Sequence, residues 1–262
     1  MVMIKSDELK SFLDLKFDQY NTLDFIPEDP ISIPHRFSIK QDIEIAGFLA
    51  ATLAWGQRPV IIRNSLNLLE RMDHSPFDFI LNAKEQEINT FKDFKHRTFN
   101  GEDCIHFLQS LQRVYKSEDS LDDYFSKLRL KLKQNHNDIA NVLSIFKKSF
   151  LGEDYTGRTS KHIADPLKGS TAKRLNMFFR WMVRKDSKGI DFGIWYSIKP
   201  SELYCPLDVH TARISRELGL LTRKQNDWKS VDELTKSLRR LDPEDPVKYD
   251  IALFGLGVNE DF

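Results

Sequence analysis

Pro206-Leu207-Asp208-Val209-His210-Thr211-Ala212-Arg213-Ile214-Ser215-Arg216-Glu217-Leu218-Gly219-Leu220 sets one acidic residue at the start of a short amphipathic helix. Pro206 stops the preceding chain from continuing as helix, and Asp208 can accept the unpaired backbone N–H groups of the helix that it opens. A carboxylate is thereby fixed in space. A basic helix precedes it over residues 169–184, with Lys173 in its first turn. If the fold brings Lys173 beside Asp208, the chain has an amine nucleophile and a carboxylate partner, the parts for imine chemistry at a sugar carbon. Each residue also has a plain structural reading. An aspartate opening a helix is a cap, and a lysine early in a helix is solvated and protonated unless burial or a neighbouring cation such as Arg174 disfavours the charge.

Outward from this segment the apolar spacing is helical and β-type alternation is scarce. Residues 6–20 carry Leu9, Phe12, Leu13 and Phe17 on one face, with Ser6 able to cap them. Pro27, Pro30 and Pro34 predict an extended stretch over 25–37. Residues 39–55 are nearly all apolar or small after Glu44, so that helix is expected to be buried on most of its surface. Further helices are predicted over 59–71, 103–115, 120–132, 137–150, 230–240 and 246–256, and 152–166 reads as loop-rich. The aromatic, non-helical insertion is Ile190-Asp191-Phe192-Gly193-Ile194-Trp195-Tyr196-Ser197-Ile198. The expected fold class is all-α with short connections.

At 262 residues and 40% hydrophobic composition, the chain can build a proper core. No run approaches the roughly 18 apolar residues of a membrane span, and the start, Met1-Val2-Met3-Ile4-Lys5-Ser6-Asp7-Glu8, turns charged too early for a signal peptide, so the expected location is cytoplasmic. Cys104 and Cys205 are lone thiols that build neither a disulfide framework nor a four-cysteine metal site. The 39 basic and 39 acidic side chains cancel, yet the local balance differs. Between Thr156 and Lys188, nine cations (Arg158, Lys161, Lys168, Lys173, Arg174, Arg180, Arg184, Lys185, Lys188) face only Asp165 and Asp186. Such a run reads either as a solvated helix face or as a phosphate-binding face, because the relevant field is set within about 8–10 Å in physiological salt.

The run from Pro206 to Leu220 resembles the catalytic-aspartate segment of the helix-hairpin-helix DNA glycosylase superfamily, in which a V-D-T-H-x-x-R type sequence precedes a helix ending in L-G-L. Phe48-Leu49-Ala50-Ala51-Thr52-Leu53-Ala54-Trp55-Gly56-Gln57 resembles the helix of those enzymes that ends in a glutamine facing the DNA. With residues 169–184 at the hairpin position, the order of parts is similar over most of the chain, and the whole resembles a distant bacterial branch of the superfamily. The usual hairpin is L-P-G-V-G-x-K-T-A. This chain has Asp165-Pro166-Leu167-Lys168-Gly169-Ser170-Thr171-Ala172-Lys173-Arg174, with one glycine. An atypical hairpin of this kind is similar to that of the archaeal 8-oxoguanine glycosylase branch.

The resemblance implies two helical subdomains with a cleft between them. Residues 1–40 with 151–262 would carry the hairpin and the aspartate, and residues 41–150 would form a helical bundle. It implies a base-excision glycosylase that extrudes a damaged nucleotide from duplex DNA, with an oxidised purine as the favoured lesion. Lys173, or Lys168 as second candidate, would attack C1′ while Asp208 stabilises the cationic sugar, giving an AP lyase; no cofactor and no metal are implied. Gln57, Lys168, Gly169, Ser170, Arg174, His210 and Arg213 are implied as DNA contacts, and His35, Arg36, His96 and Arg97 are further candidates. Trp55, Phe192, Trp195 and Tyr196 are candidates for a wall against the flipped base, each with a core position as the alternative. The partner would be damaged double-stranded DNA, bound by a monomer without a membrane. The competing reading is a non-catalytic DNA-binding or scaffolding protein that retains the glycosylase fold.

Overall fold

The computed structural model describes residues 6–132, 138–152, 157–185 and 187–260. Among these the chain is all-α, with one two-stranded hairpin as its only sheet. In chain order the α-helices are α1 (Ser6–Tyr20), α2 (Lys40–Leu53), α3 (Arg58–Glu70), α4 (Pro76–Asn82), α5 (Glu85–Ile88), α6 (Gly101–Ser117), α7 (Leu121–Leu130), α8 (Ile139–Leu151), α9 (Lys173–Val183), α10 (Val209–Glu217), α11 (Trp228–Leu241) and α12 (Tyr249–Asn259). The hairpin pairs β1 (Lys95–His96) with β2 (Phe99–Asn100). The expected start of α8 at residue 137 lies outside the described residues.

Two compact units divide the chain: Met1–Phe25 with Asp165–Phe262, and Ile26–Ala164. Residues 26–40 and the described part of 151–164 therefore belong with the central unit, not with the terminal one as the sequence suggested. The reason is local. Pro30 and Pro34 do not extend the chain; each opens a 3₁₀ turn, Pro30–Ser32 capped by the Asp29 carboxylate and Pro34–Arg36, and the turns bury Ile31 and Ile33, the latter among Ala46, Ala50 and Leu69. Farther along, Arg158, Thr159 and His162 all donate to the buried Asp103 carboxylate of α6, at 2.7, 2.7 and 3.2 Å.

In the central unit α2 is buried from Asp42 to Leu53, as its composition predicts. Its Phe48 sits among Phe107, Phe146 and Phe150, with ring centroids 5.3–5.9 Å apart. Glu44 is fully buried on the same helix, and it accepts from Tyr115 Oη (2.8 Å) and from the Leu121 N–H (2.9 Å), one of the orphan donors at the start of α7. The 3₁₀ turn Asn89–Asp93, which precedes the hairpin, meets α6 so closely that a Cβ on Gly101 would lie 2.0 Å from the Lys92 carbonyl oxygen. A backbone atom cannot step aside as a side chain can. Gly101→Ala is expected to cost about 3 kcal/mol, the upper end for overpacking, read as a lowered denaturant midpoint of the central unit.

The terminal unit is built around α12, which packs against α1 and α10. Its core joins Leu9 and Leu13 to Leu207, Ile214, Leu234, Leu238, Leu253 and Leu256. Gly255 lets α1 approach, since a Cβ there would stand 2.2 Å from the Tyr20 ring. Helix α9 buries Leu175, Phe178, Phe179, Met182 and Val183. The insertion after it closes its C-terminus: Phe192, Ile194 and Trp195 donate their backbone N–H groups to the Trp181 and Met182 carbonyls at 2.7–3.0 Å. Those carbonyls belong to the last turn, which has no partner inside the helix.

Candidate active site

Asp208 caps α10, as its position predicts, and it divides its carboxylate between two tasks. Oδ1 accepts the backbone N–H groups of His210 and Thr211, both at 3.0 Å. Oδ2 lies 3.9 Å from Lys173 Nζ. The amine also reaches Met177 Sδ at 3.3 Å, one turn along its own helix. The pair keeps contact with solvent, with side chains 27% (Lys173) and 24% (Asp208) exposed.

Lys173 is the first residue of α9, so helix does not run from 169 as the spacing suggested. Pro166–Lys168 form a 3₁₀ turn, whose Asp165 cap accepts from the Leu167 N–H at 3.1 Å. Gly169 then takes φ 88° and Ala172 φ 47°, while Ser170 Oγ accepts the Ala172 N–H at 3.2 Å. Two left-handed residues delay the helix by four positions. The Gly169 carbonyl accepts the Trp228 N–H at 3.1 Å, which ties the turn to the start of α11. Leu167, Lys168, Gly169 and Ser170 are exposed at the tip.

Below the pair lies a chain of buried charges that the sequence reading did not find. Arg180 Nη1 holds Asp250 at 2.5 Å, and Arg180 Nε holds Asp191 at 3.3 Å. Asp191 also binds Arg184 at 3.1 Å, and Arg184 binds Asp245 at 2.8 Å. Burial raises the Asp250 carboxyl to about 6, opposed by the Arg180 and Lys173 charges and reinforced by the Asp208 charge. Asp250 thus feels both members of the candidate pair. A sequence signal existed: Arg180 stands in Phe178-Phe179-Arg180-Trp181-Met182 and Asp250 opens an apolar helix, and charges in apolar runs need partners.

The nine-cation run is not one face. Arg180 and Arg184 are buried in this chain of ion pairs, and Arg158 belongs to Asp103 in the central unit. Lys161, Lys168, Lys185 and Lys188 are exposed, and Arg174 is half-buried, its guanidinium held down to about 10 by burial. Arg213 donates to the Gly257 carbonyl (3.3 Å) and faces Glu217 (3.5 Å), while Arg216 binds the Arg223 and Lys224 carbonyls and Asn226. His210 is exposed and meets Phe254 edge-on, with centroids 6.5 Å apart.

The aromatic insertion lies at the C-terminal end of α9, and Lys173 lies at the N-terminal end. Trp195 is 2% exposed and packs edge-on against Phe178 and Phe179, each at 5.3 Å, which makes it core. Phe192 is half-buried and bridges to Lys185, and Tyr196 is exposed. Trp55 and Gln57 belong to the central unit: Gln57 is exposed just before α3, and Trp55 is half-buried beneath Arg97. Of the residues proposed from sequence, the fold brings together Lys173 and Asp208 in the terminal unit and Trp55, His96 and Arg97 in the central unit, and Asp250, which was not among them, feels the charges of the first pair.

No helix among the described residues is long and apolar enough to cross a membrane. No curated protein and no solved structure matches the chain. A family model described as "Protein of unknown function (DUF2400)" matches residues 29–259, both units included, and the chain belongs to that family.

Proposed function

We propose that the chain is a DNA base-excision glycosylase with AP lyase activity, acting on an oxidised purine through Lys173 and Asp208. One observation supports the reading: two residues that sequence separates by 35 positions meet at 3.9 Å, the carboxylate fixed by a helix N-terminus and the amine on a half-exposed side chain. The unprotonated Lys173 amine attacks C1′ of an extruded nucleotide as the C1′–N bond breaks, and the base leaves with a proton. Asp208 Oδ2 stabilises the positive charge that develops on the sugar and takes the proton released by the attacking nitrogen. Ring opening gives an imine, and loss of a proton from C2′ expels the 3′ phosphate. Attack by water in place of Lys173 gives base release without strand cleavage.

Borohydride reduction of the imine converts it to a stable covalent adduct, which makes trapping the test. Wild-type protein is expected to trap on a duplex carrying 8-oxoguanine or an abasic site, and Lys173→Gln is expected to abolish the adduct. Failure of the wild type on 8-oxoguanine, uracil and abasic duplexes alike would sink the lyase mechanism. Equal trapping by Lys173→Gln would move the nucleophile to another lysine, Lys168 first. The non-catalytic alternative treats the 3.9 Å contact as a structural ion pair and predicts duplex binding with no adduct on any substrate.

A further inference from the structure

Arg97 and Thr98 form the two-residue loop between β1 and β2, with His96 paired to Phe99. Hairpin loops of this length favour glycine where φ is positive, yet Arg97 holds φ 54°. Its guanidinium lies over the Trp55 ring at 4.7 Å. Trp55 is in turn fixed from behind: His96 sits edge-on to it at 6.0 Å, its Nε2 is 3.3 Å from the Trp55 carbonyl, and its Nδ1 is 2.9 Å from Asn64 Nδ2. Gly56 takes φ 113°, and a Cβ there would come within 2.9 Å of Arg97 Nη1. Two backbone positions are thus in conformations that side chains disfavour, and both serve the same stack.

The stack does not complete an ion pair. No carboxylate pairs with Arg97 among the described residues, and Arg97, Gly56 and Gln57 are all exposed. Strain of this kind costs about 1–3 kcal/mol and persists where the surroundings over-determine it, which clusters it at binding sites. A guanidinium lying on an indole has one face covered, leaving its other face open to a nucleobase and its N–H edge open to a phosphate. Resting on the DNA reading above, we infer that Arg97, seated on Trp55 beside Gln57, is a nucleotide-contacting residue of the central unit, kept in a glycine-type conformation for that contact.

Arg97→Gly separates this role from a structural one, because glycine relieves the positive φ and a purely structural arginine would be missed. Duplex binding would be followed by fluorescence anisotropy, with intact and abasic-analogue duplexes over a salt series, beside denaturant midpoints of the same proteins. The expected result is about ten-fold weaker binding at an unchanged or raised midpoint. A salt slope smaller by about one would identify a phosphate contact, and an unchanged slope with the same loss a base contact. Wild-type affinity in Arg97→Gly, or a lowered midpoint, would overturn the inference while leaving the glycosylase reading standing. Absence of duplex binding by the wild type would overturn both.

Discussion

On the glycosylase chemistry proposed above, Asp208→Asn is expected to slow base release by about two to four orders of magnitude while leaving α10 in place, the range associated with loss of a positioned acid–base group. The prediction rests on the division of labour within the carboxylate. Oδ1 carries the cap, accepting from His210 and Thr211, and asparagine is as good a cap as aspartate. The amide keeps the capping oxygen but carries no charge, and an NH2 replaces the oxygen facing Lys173. Asp208→Ala removes both functions and adds about 1 kcal/mol of lost capping. Single-turnover excision rates and thermal midpoints of the two variants therefore separate chemistry from scaffold. A fall below ten-fold in Asp208→Asn would remove the aspartate from the mechanism.

Arg180→Leu is expected to destabilise the terminal unit by about 3–5 kcal/mol, the cost of removing one partner from a buried ion pair. The leucine leaves Asp250 and Asp191 without a cation that each holds at 2.5 and 3.3 Å. The sign with pH follows from Asp250, whose carboxyl is raised to about 6, above the ordinary 3.8. A buried acid with a raised value holds its proton more tightly folded than unfolded, so its contribution to stability is present at acid pH and is lost as pH rises between about 4 and 6. Arg180 is a lowering influence, so its removal carries that loss to higher pH. The deficit of Arg180→Leu relative to wild type should thus be larger at pH 8 than at pH 5, measured as the difference of denaturant midpoints. An equal deficit at both values would show that Asp250 does not titrate between them.

What could be read from the chain was what a short window determines. The cap at Asp208, the burial of α2 and the extent of α1 follow from residue chemistry within one or two turns. The start of α9 does not, because nothing about alanine announces the left-handed φ of Ala172. Arg97-Thr98 lacks the glycine or asparagine that marks a tight hairpin, so the only sheet among the described residues went unpredicted. Pro30 and Pro34 fit an extended strand as well as the first position of a 3₁₀ turn, and the burial of Ile31 and Ile33 decides between them. Charge counting treated nine cations alike, although Arg180 and Arg184 are interior. Residue chemistry raised Lys173 and Asp208 as a pair and the resemblance strengthened it, whereas Asp250 could enter only once Arg180 of α9 met it on α12.

The terminal unit takes α1 from one end of the chain and α12 from the other. Tyr249 bonds Asp14 across 235 residues, and Lys16 bonds Glu260 across 244. During synthesis α1 leaves the ribosome well before α12, so their contact forms late. The central unit has its whole sequence by Ala164, and domains generally fold as units in the order of their synthesis, while Leu9 and Leu13 wait for the rest of their core. The Lys173–Asp208 pair belongs to the late-forming unit. On a nascent chain, any duplex contact through Arg97 can therefore form before the candidate chemistry is assembled.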